Sequence, residues 1–83
     1  MNVGLTRHAK RDLEALAIST RGRIVKVLRN LALDPSSVDL KKLAGEEDLY
    51  RIRVGDYRAI VQLGPEADTA YVLRVDNRRE AYR

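Results

Sequence analysis

Leu49-Tyr50-Arg51-Ile52-Arg53-Val54-Gly55-Asp56-Tyr57-Arg58-Ala59-Ile60-Val61-Gln62-Leu63 is the stretch whose reading decides the fold. Tyr50, Ile52 and Val54 alternate with Leu49, Arg51 and Arg53, and then Tyr57, Ala59, Val61 and Leu63 alternate with Arg58, Ile60 and Gln62. A period of two marks half-buried strands, so the stretch reads as two strands joined at Gly55-Asp56, one face apolar and the other carrying the arginines. Glycine at the first central position of a two-residue connection suits a type II′ turn, whose twist matches that of the flanking strands. That turn sets the register, with Val54 opposite Tyr57 and Arg53 opposite Arg58. Like charges facing each other across a ladder are unfavourable by some tenths of a kcal/mol up to about 1 kcal/mol. Folding gains nothing from the pair, whereas an anion held between the two guanidinium groups accounts for it.

Upstream, Asn2 to Leu5 is short and apolar enough for an opening edge strand, and Thr6 is placed to cap a following helix by accepting a backbone N–H. From Arg7 to about Ala17 the apolar residues Ala9, Leu13, Leu16 and Ala17 recur at helical spacing. Ser19 or Thr20 is a candidate cap for a second helix, in which Ile24, Val27, Leu28 and Leu31 form a stripe away from Arg21, Arg23, Lys26 and Arg29. Asp34-Pro35-Ser36-Ser37 ends it, because proline cannot continue the ladder and biases the residue before it away from the helical region. A crossing segment from Val38 leads through Lys41-Lys42-Leu43 into the polar turn Gly45-Glu46-Glu47-Asp48. Downstream, Gly64-Pro65-Glu66-Ala67-Asp68 is turn-rich. Thr69 to Val75 reads as a further strand, with Tyr71, Leu73 and Val75 on one face and Val72 and Arg74 on the other. Asn77 to Arg83 reads equally as a helical turn or an extended tail.

Two helices followed by a three-strand antiparallel meander, with an N-terminal edge strand, make an α+β fold: two N-terminal helices packed on one face of a small, mainly antiparallel β-sheet. The other face is left for function. Eighty-three residues make one small domain, 1–83, near the margin of independent stability. No apolar run approaches the roughly 18 residues of a membrane span, and the N-terminus lacks a long apolar secretory segment. A cytoplasmic chain with no membrane partner is the expectation.

The chain has no cysteine and one histidine, His8, which excludes a disulfide framework, a thiolate zinc site, a Cys nucleophile and a multi-histidine metal site. No cofactor and no metal is expected, and chemistry falls to Arg, Lys, Tyr and carboxylates. A net charge of +4 and a pI near 9.8 point to an acidic partner. Residues 1–34 carry seven Lys/Arg against three Asp/Glu, while residues 35–83 carry nine against nine. In that neutral half the acids gather in turns (Glu46, Glu47, Asp48, Asp56, Glu66, Asp68), whereas Arg51, Arg53, Arg58 and Arg74 lie within strands. A basic patch can therefore arise by arrangement rather than by composition.

The order of elements, together with Lys42-Leu43, Tyr50-Arg51-Ile52-Arg53, Gly55-Asp56-Tyr57-Arg58 and Arg74-Val75-Asp76-Asn77-Arg78-Arg79-Glu80-Ala81-Tyr82, closely resembles the RelE/ParE superfamily of type II toxin–antitoxin toxins. The resemblance implies a RelE-like fold and, in the RelE branch, a ribosome-dependent endoribonuclease that cuts mRNA in the ribosomal A site without a metal. It maps the catalytic set to Arg51, Arg53, Arg58, Arg78 and Tyr82. The implied partners are a cognate antitoxin, the ribosome and mRNA. Three departures stand out: arginines at 51 and 53 where some relatives carry lysine, Asn77 where many carry histidine, and an end one residue after Tyr82. Within the same superfamily, a ParE-like toxin acting on DNA gyrase is the first alternative, and a non-catalytic RNA- or protein-binding relative is the second.

Around that set, Lys41, Lys42, Arg74 and Arg79 are candidate RNA contacts. Each also has a plainer reading: loop lysines in water for Lys41 and Lys42, a carboxylate pair for Arg74, and a solvated terminus for Arg78 and Arg79. Tyr82 reads as a proton-transfer group, a base-stacking platform or a packed side chain. Tyr50, Tyr57 and Tyr71, alternating with apolar residues, read as core, and His8 reads as a helix-surface residue.

Overall fold

Strands form over Leu49–Val54 and Tyr57–Gln62, and Val54 pairs with Tyr57 and Arg53 with Arg58, as the two-residue turn requires. Gly55 takes φ 60°, and Asp56 stays at negative φ, the sign pattern of a type II′ turn. The computed structural model describes residues 1–64 and 68–77. In chain order its elements are β1 (Asn2–Leu5), α1 (Arg7–Glu14), α2 (Ile18–Leu33), a 3-10 turn (Pro35–Ser37), β2 (Leu40–Lys42), β3 (Leu49–Val54), β4 (Tyr57–Gln62) and β5 (Thr69–Asn77). The sheet order is β1-β5-β4-β3-β2, with β1 parallel to β5 and every other pair antiparallel. This is the expected α+β architecture, with one strand more than the sequence suggests. β2 escapes a periodicity reading because three residues cannot display an alternation. Among the described residues no helix is long and apolar enough to cross a membrane.

Both helices lie on one face. Ala9 and Leu13 of α1 and Ile24, Leu28 and Leu31 of α2 are buried against Ile52, Ala59, Val61, Ala70, Val72 and Val75 of the sheet. Thr6 caps α1, its hydroxyl accepting from the Ala9 N–H at 3.1 Å. α1 stops at Glu14, earlier than the Ala17 expected, and α2 begins at Ile18 with Ala17 as its cap residue and no side-chain cap. Ser19 and Thr20 therefore lie inside the first turn rather than capping it. The connection is tight because Arg21 folds back onto the end of α1, donating to the carbonyls of Leu13, Glu14 and Leu16 at 2.9, 3.1 and 3.2 Å. The Leu13 carbonyl also accepts from the Leu16 N–H at 3.1 Å, and the guanidinium adds charged donors to the exposed carbonyl end of α1.

β5 overturns the expected face assignment. Its pairing with β4 runs Ala59 with Val75 and Ile60 with Arg74, then steps to Val61 with Val72, so Leu73 is an extra residue in a bulge. The bulge reverses the alternation. Ala70, Val72 and Val75 are buried in the core, whereas Tyr71 is 51% exposed on the opposite face, and Arg74 does not share a face with Val72. Tyr71 is thus no core residue. Its ring lies across Gly4, where an added Cβ would come within 3.0 Å of it. Tyr50 and Tyr57 are half-buried on the helix side, Tyr57 against the core.

β1 ends at Leu5, level with Val72, and beyond it α1 takes over the exposed edge of β5. The Thr6 N–H donates to the Val72 carbonyl at 3.0 Å, the Thr6 hydroxyl to the Leu73 carbonyl at 2.7 Å, and the Val75 N–H to Asp12 Oδ2 at 2.9 Å. The bulge is therefore stitched in place from one side. Among the core residues Ile52 is 1% exposed between the helices and the sheet centre. Ile52→Ala is expected to cost about 2–5 kcal/mol, read as a lower urea midpoint at unchanged m-value.

Candidate functional site

On the face that carries no helix among the described residues, cross-strand register sets the arginines in rows. Lys41 pairs with Arg51, Arg51 with Ile60 and Ile60 with Arg74, so one row crosses four strands. The next row, nearer the hairpin turn, is Arg53, Arg58 and Asp76. With neighbouring strands about 5 Å apart and same-face residues about 7 Å apart along a strand, five cations occupy a patch roughly 15 Å by 7 Å. Arg51 and Arg58 are half-buried, with Arg58 Nε enclosed, while Lys41, Arg53 and Arg74 are exposed. Half-burial matters, since a guanidinium restrained by its neighbours loses less freedom when it binds an anion.

Ile60 lies in the middle of the first row at 5% exposure, outside the helix-side core cluster. An apolar centre flanked by the long stems of Arg51 and Arg74 lets those stems pack while their charged heads reach outward. Arg74 Nε forms an ion pair with Asp76 Oδ2 at 3.1 Å. Of the two expectations for Arg74, phosphate contact or carboxylate pair, the second is the contact observed.

Lys41 and Lys42, alike in sequence, are separated by the structure. Lys42 pairs with Tyr50, placing it on the helix side at the sheet edge, whereas Lys41 joins the arginine row. Arg78, Arg79 and Tyr82 lie outside the described residues. Arg23 reaches the hairpin tip from α2: its Nη2 comes within 3.1 Å of where a Cβ on Gly55 would stand. Gly55 thus meets two demands, positive φ and lack of a side chain. His8 lies at the helix surface, Nδ1 2.9 Å from Asp12 Oδ2.

Asp76 is the residue that sequence reasoning passed over. It is the only carboxylate within the five strands among the described residues, and it lies directly across from Arg58. The signal was present, since an acid in a strand stands out where every other described acid of that half falls in a turn or loop. What concealed it was the length of the strand, which reads from the sequence as ending at Val75 and runs to Asn77.

The family model described as "ParE toxin of type II toxin-antitoxin system, parDE" matches residues 3–82. Toxin RelE3 of Methanocaldococcus jannaschii is 30% identical over 86 residues, covering 99% of this chain and 96% of its own. Among solved structures, the RelB-RelE antitoxin-toxin complex from Methanococcus jannaschii is similar with a TM-score of 0.79 at 26% identity, covering 95% of this chain and 94% of its own. The toxin-antitoxin complex RelBE2 from Mycobacterium tuberculosis is similar with a TM-score of 0.78 at 31% identity, covering 93% and 96%.

The facing arginines make a stability prediction independent of any substrate. Arg53→Thr removes a like-charge neighbour of Arg58 and supplies a good strand former, so it is expected to raise folding stability by some tenths of a kcal/mol up to about 1 kcal/mol. Urea titrations at low and high salt check this. Wild type should gain more from added salt than the variant, because screening relieves a repulsion that only wild type has.

Proposed function

The chain belongs to the RelE/ParE superfamily of type II toxin–antitoxin toxins, and from that premise we propose that it is a ribosome-dependent mRNA endoribonuclease that arrests translation. The observation that carries this reading is the pair of rows on the helix-free face, Lys41-Arg51-Ile60-Arg74 and Arg53-Arg58-Asp76. Fixed guanidinium groups converging on one open face suit a phosphodiester, whose oxygens they can bind two at a time.

The chemistry uses the substrate's own nucleophile. The 2′-oxygen attacks the adjacent phosphorus while its proton leaves to an acceptor. The new O2′–P bond forms as the P–O5′ bond breaks, and O5′ takes up a proton. The products are a 2′,3′-cyclic phosphate and a 5′-OH end, and neither a protein nucleophile nor a metal is required. Negative charge grows on the non-bridging oxygens in the transition state. Arg51, Arg53 and Arg58, preorganised on paired strands, stabilise it where it develops. Lys41 extends the contact along the RNA backbone, releasing counterions on binding, and Arg74 positions the phosphate. Arg78 and Tyr82 complete the proposed catalytic set. An arginine stays protonated at physiological pH and serves poorly as a base, so proton transfer falls to other groups, Tyr82 among them.

The partner proposed is a cognate antitoxin. The similar solved structures from Methanococcus jannaschii and Mycobacterium tuberculosis are toxin–antitoxin complexes, and an extended or helical antitoxin segment laid over this toxin would silence it. A second reading, inhibition of DNA gyrase, draws support from the matching family model being that of a ParE toxin.

A translation reaction programmed with a defined mRNA separates the readings. Wild type is expected to cut within the A-site codon, and Arg58→Ala to lose about 10²–10³-fold in rate, the size of effect seen when one donor to a developing oxyanion is removed. Glu14→Ala, at the exposed end of α1, should cut like wild type. Equal losses in both variants would exclude this face as the site. Intact mRNA with inhibited supercoiling would assign the protein to the gyrase class.

A further inference from the structure

Two guanidinium groups, Arg53 and Arg58, share the turn-proximal row of the helix-free face with one carboxylate, and Arg74 stands in the next row beside it. Asp76 faces Arg58 across the β4–β5 ladder, Arg58 faces Arg53 across the β3–β4 ladder, and Asp76 Oδ2 holds Arg74 Nε at 3.1 Å. No other acid occupies a strand among the described residues. Its placement is built rather than incidental. The bulge at Leu73 gives β5 the register that turns Asp76 toward Arg58, and the neighbouring Val75 N–H is pinned to Asp12 Oδ2 of α1 at 2.9 Å. The Asp76 side chain is only 26% exposed, whereas that of Arg74 is 54% exposed. The acid is thus the anchored partner and the arginine the projecting one.

We propose that Asp76 is a positioning residue of this site: it grips the Nε edge of Arg74, so that the Nη edge is aimed outward beside Arg58 to take a phosphate oxygen. The inference rests on the nuclease reading and deepens it. A guanidinium presents its donors on distinct edges in a fixed plane, so holding one edge orients the others. Without the carboxylate, Arg74 would swing away from Arg58 by charge repulsion, and the phosphate would have to draw it back at an entropic cost. Asp76 removes that cost in advance, and it tempers the like-charge crowding that Arg53 and Arg58 impose on the ladder.

The test compares Asp76→Ala, Asp76→Asn and Arg74→Ala with wild type in single-turnover cleavage of an A-site codon on programmed ribosomes. Nitrogen-15 spectra of the arginine Nε–H groups in the free protein are recorded in parallel. Asp76→Asn keeps an acceptor for Nε without the charge. Asp76→Ala is expected to lower the rate at saturating ribosomes about tenfold, with the half-saturating ribosome concentration changed less than about twofold, and Asp76→Asn to restore most of it. Arg74→Ala should show the same loss, and the double variant no further loss, as expected for two groups acting as one unit. The Arg74 Nε–H signal should persist in Asp76→Asn and shift or vanish in Asp76→Ala. Should Asp76→Ala fail to fold, Asp76→Asn and Arg74→Ala decide the matter: wild-type cleavage by Arg74→Ala overturns the proposal. So does an Asp76→Asn as slow as Asp76→Ala, because the residue then acts through its charge, and so does an unmoved Arg74 signal in Asp76→Ala. Wild type cutting with Asp76→Ala unimpaired overturns this inference alone, and wild type leaving mRNA intact overturns the nuclease reading and this inference with it.

Discussion

Cross-strand register is the constraint on which this structure depends. Side chains alternate with a period of two, so a slip of one residue between strands would carry every arginine to the core face and every core residue to solvent. Two devices prevent that. The Gly55-Asp56 turn admits one pairing of β3 with β4, and the bulge at Leu73 admits one pairing of β4 with β5. The first places Arg53 against Arg58, and the second places Arg74 beside Ile60 and Asp76 beside Arg58. α1 makes the second device rigid, because its cap residue Thr6 and its Asp12 take up the backbone groups that β1 leaves exposed on β5. The same helix that buries Ala9 and Leu13 in the core therefore sets the geometry of the opposite face.

How much was legible in advance follows from how local each device is. A two-residue turn with glycine first is written in adjacent residues, so the β3–β4 register and the arginine pair could be read directly. The stripe of Ile24, Leu28 and Leu31 was legible for the same reason, since helical spacing is a local period. The bulge is not local. It arises where β5 must satisfy β4 on one side and α1 on the other, and Thr69 to Asn77 shows no break in its pattern to announce it. An unbroken alternation accordingly puts Tyr71 on the face of Val75 and Val72 on that of Arg74, where the structure exchanges Tyr71 and Val72, and it gives Asp76 no role. β2 was missed because its three residues are specified by their partners on β3 rather than by their own pattern. Lys41 and Lys42 could not be told apart until that pairing was known.

The charges of the helix-free face show what its register costs and what offsets the cost. Arg53 opposite Arg58 is unfavourable for the ladder, and a chain of 83 residues has little stability to spare. The pairing is tolerated because the rest of the sheet is arranged around it. Asp76 supplies the one countercharge in the row, and Ile60 gives neighbouring stems an apolar surface to lie on. The other described acids of the C-terminal half lie in turns and loops rather than in strands. The result is a half-chain with no net charge that nonetheless presents a cationic surface.

That surface is an open sheet face, and the difference from a pocket bears on the proposed reaction. A pocket can bend a flexible substrate into reactive shape with its own walls, whereas an open face of cations can stabilise charge but cannot enforce a backbone conformation. For in-line attack the 2′-oxygen, the phosphorus and the departing 5′-oxygen must already be close to a straight line. On the proposed reading the ribosome supplies that alignment by holding the codon in place, and the toxin supplies a rigid set of donors for the charge that then develops. On that same reading, a sheet with helices on one face and arginines on the other stabilises a geometry that another body imposes.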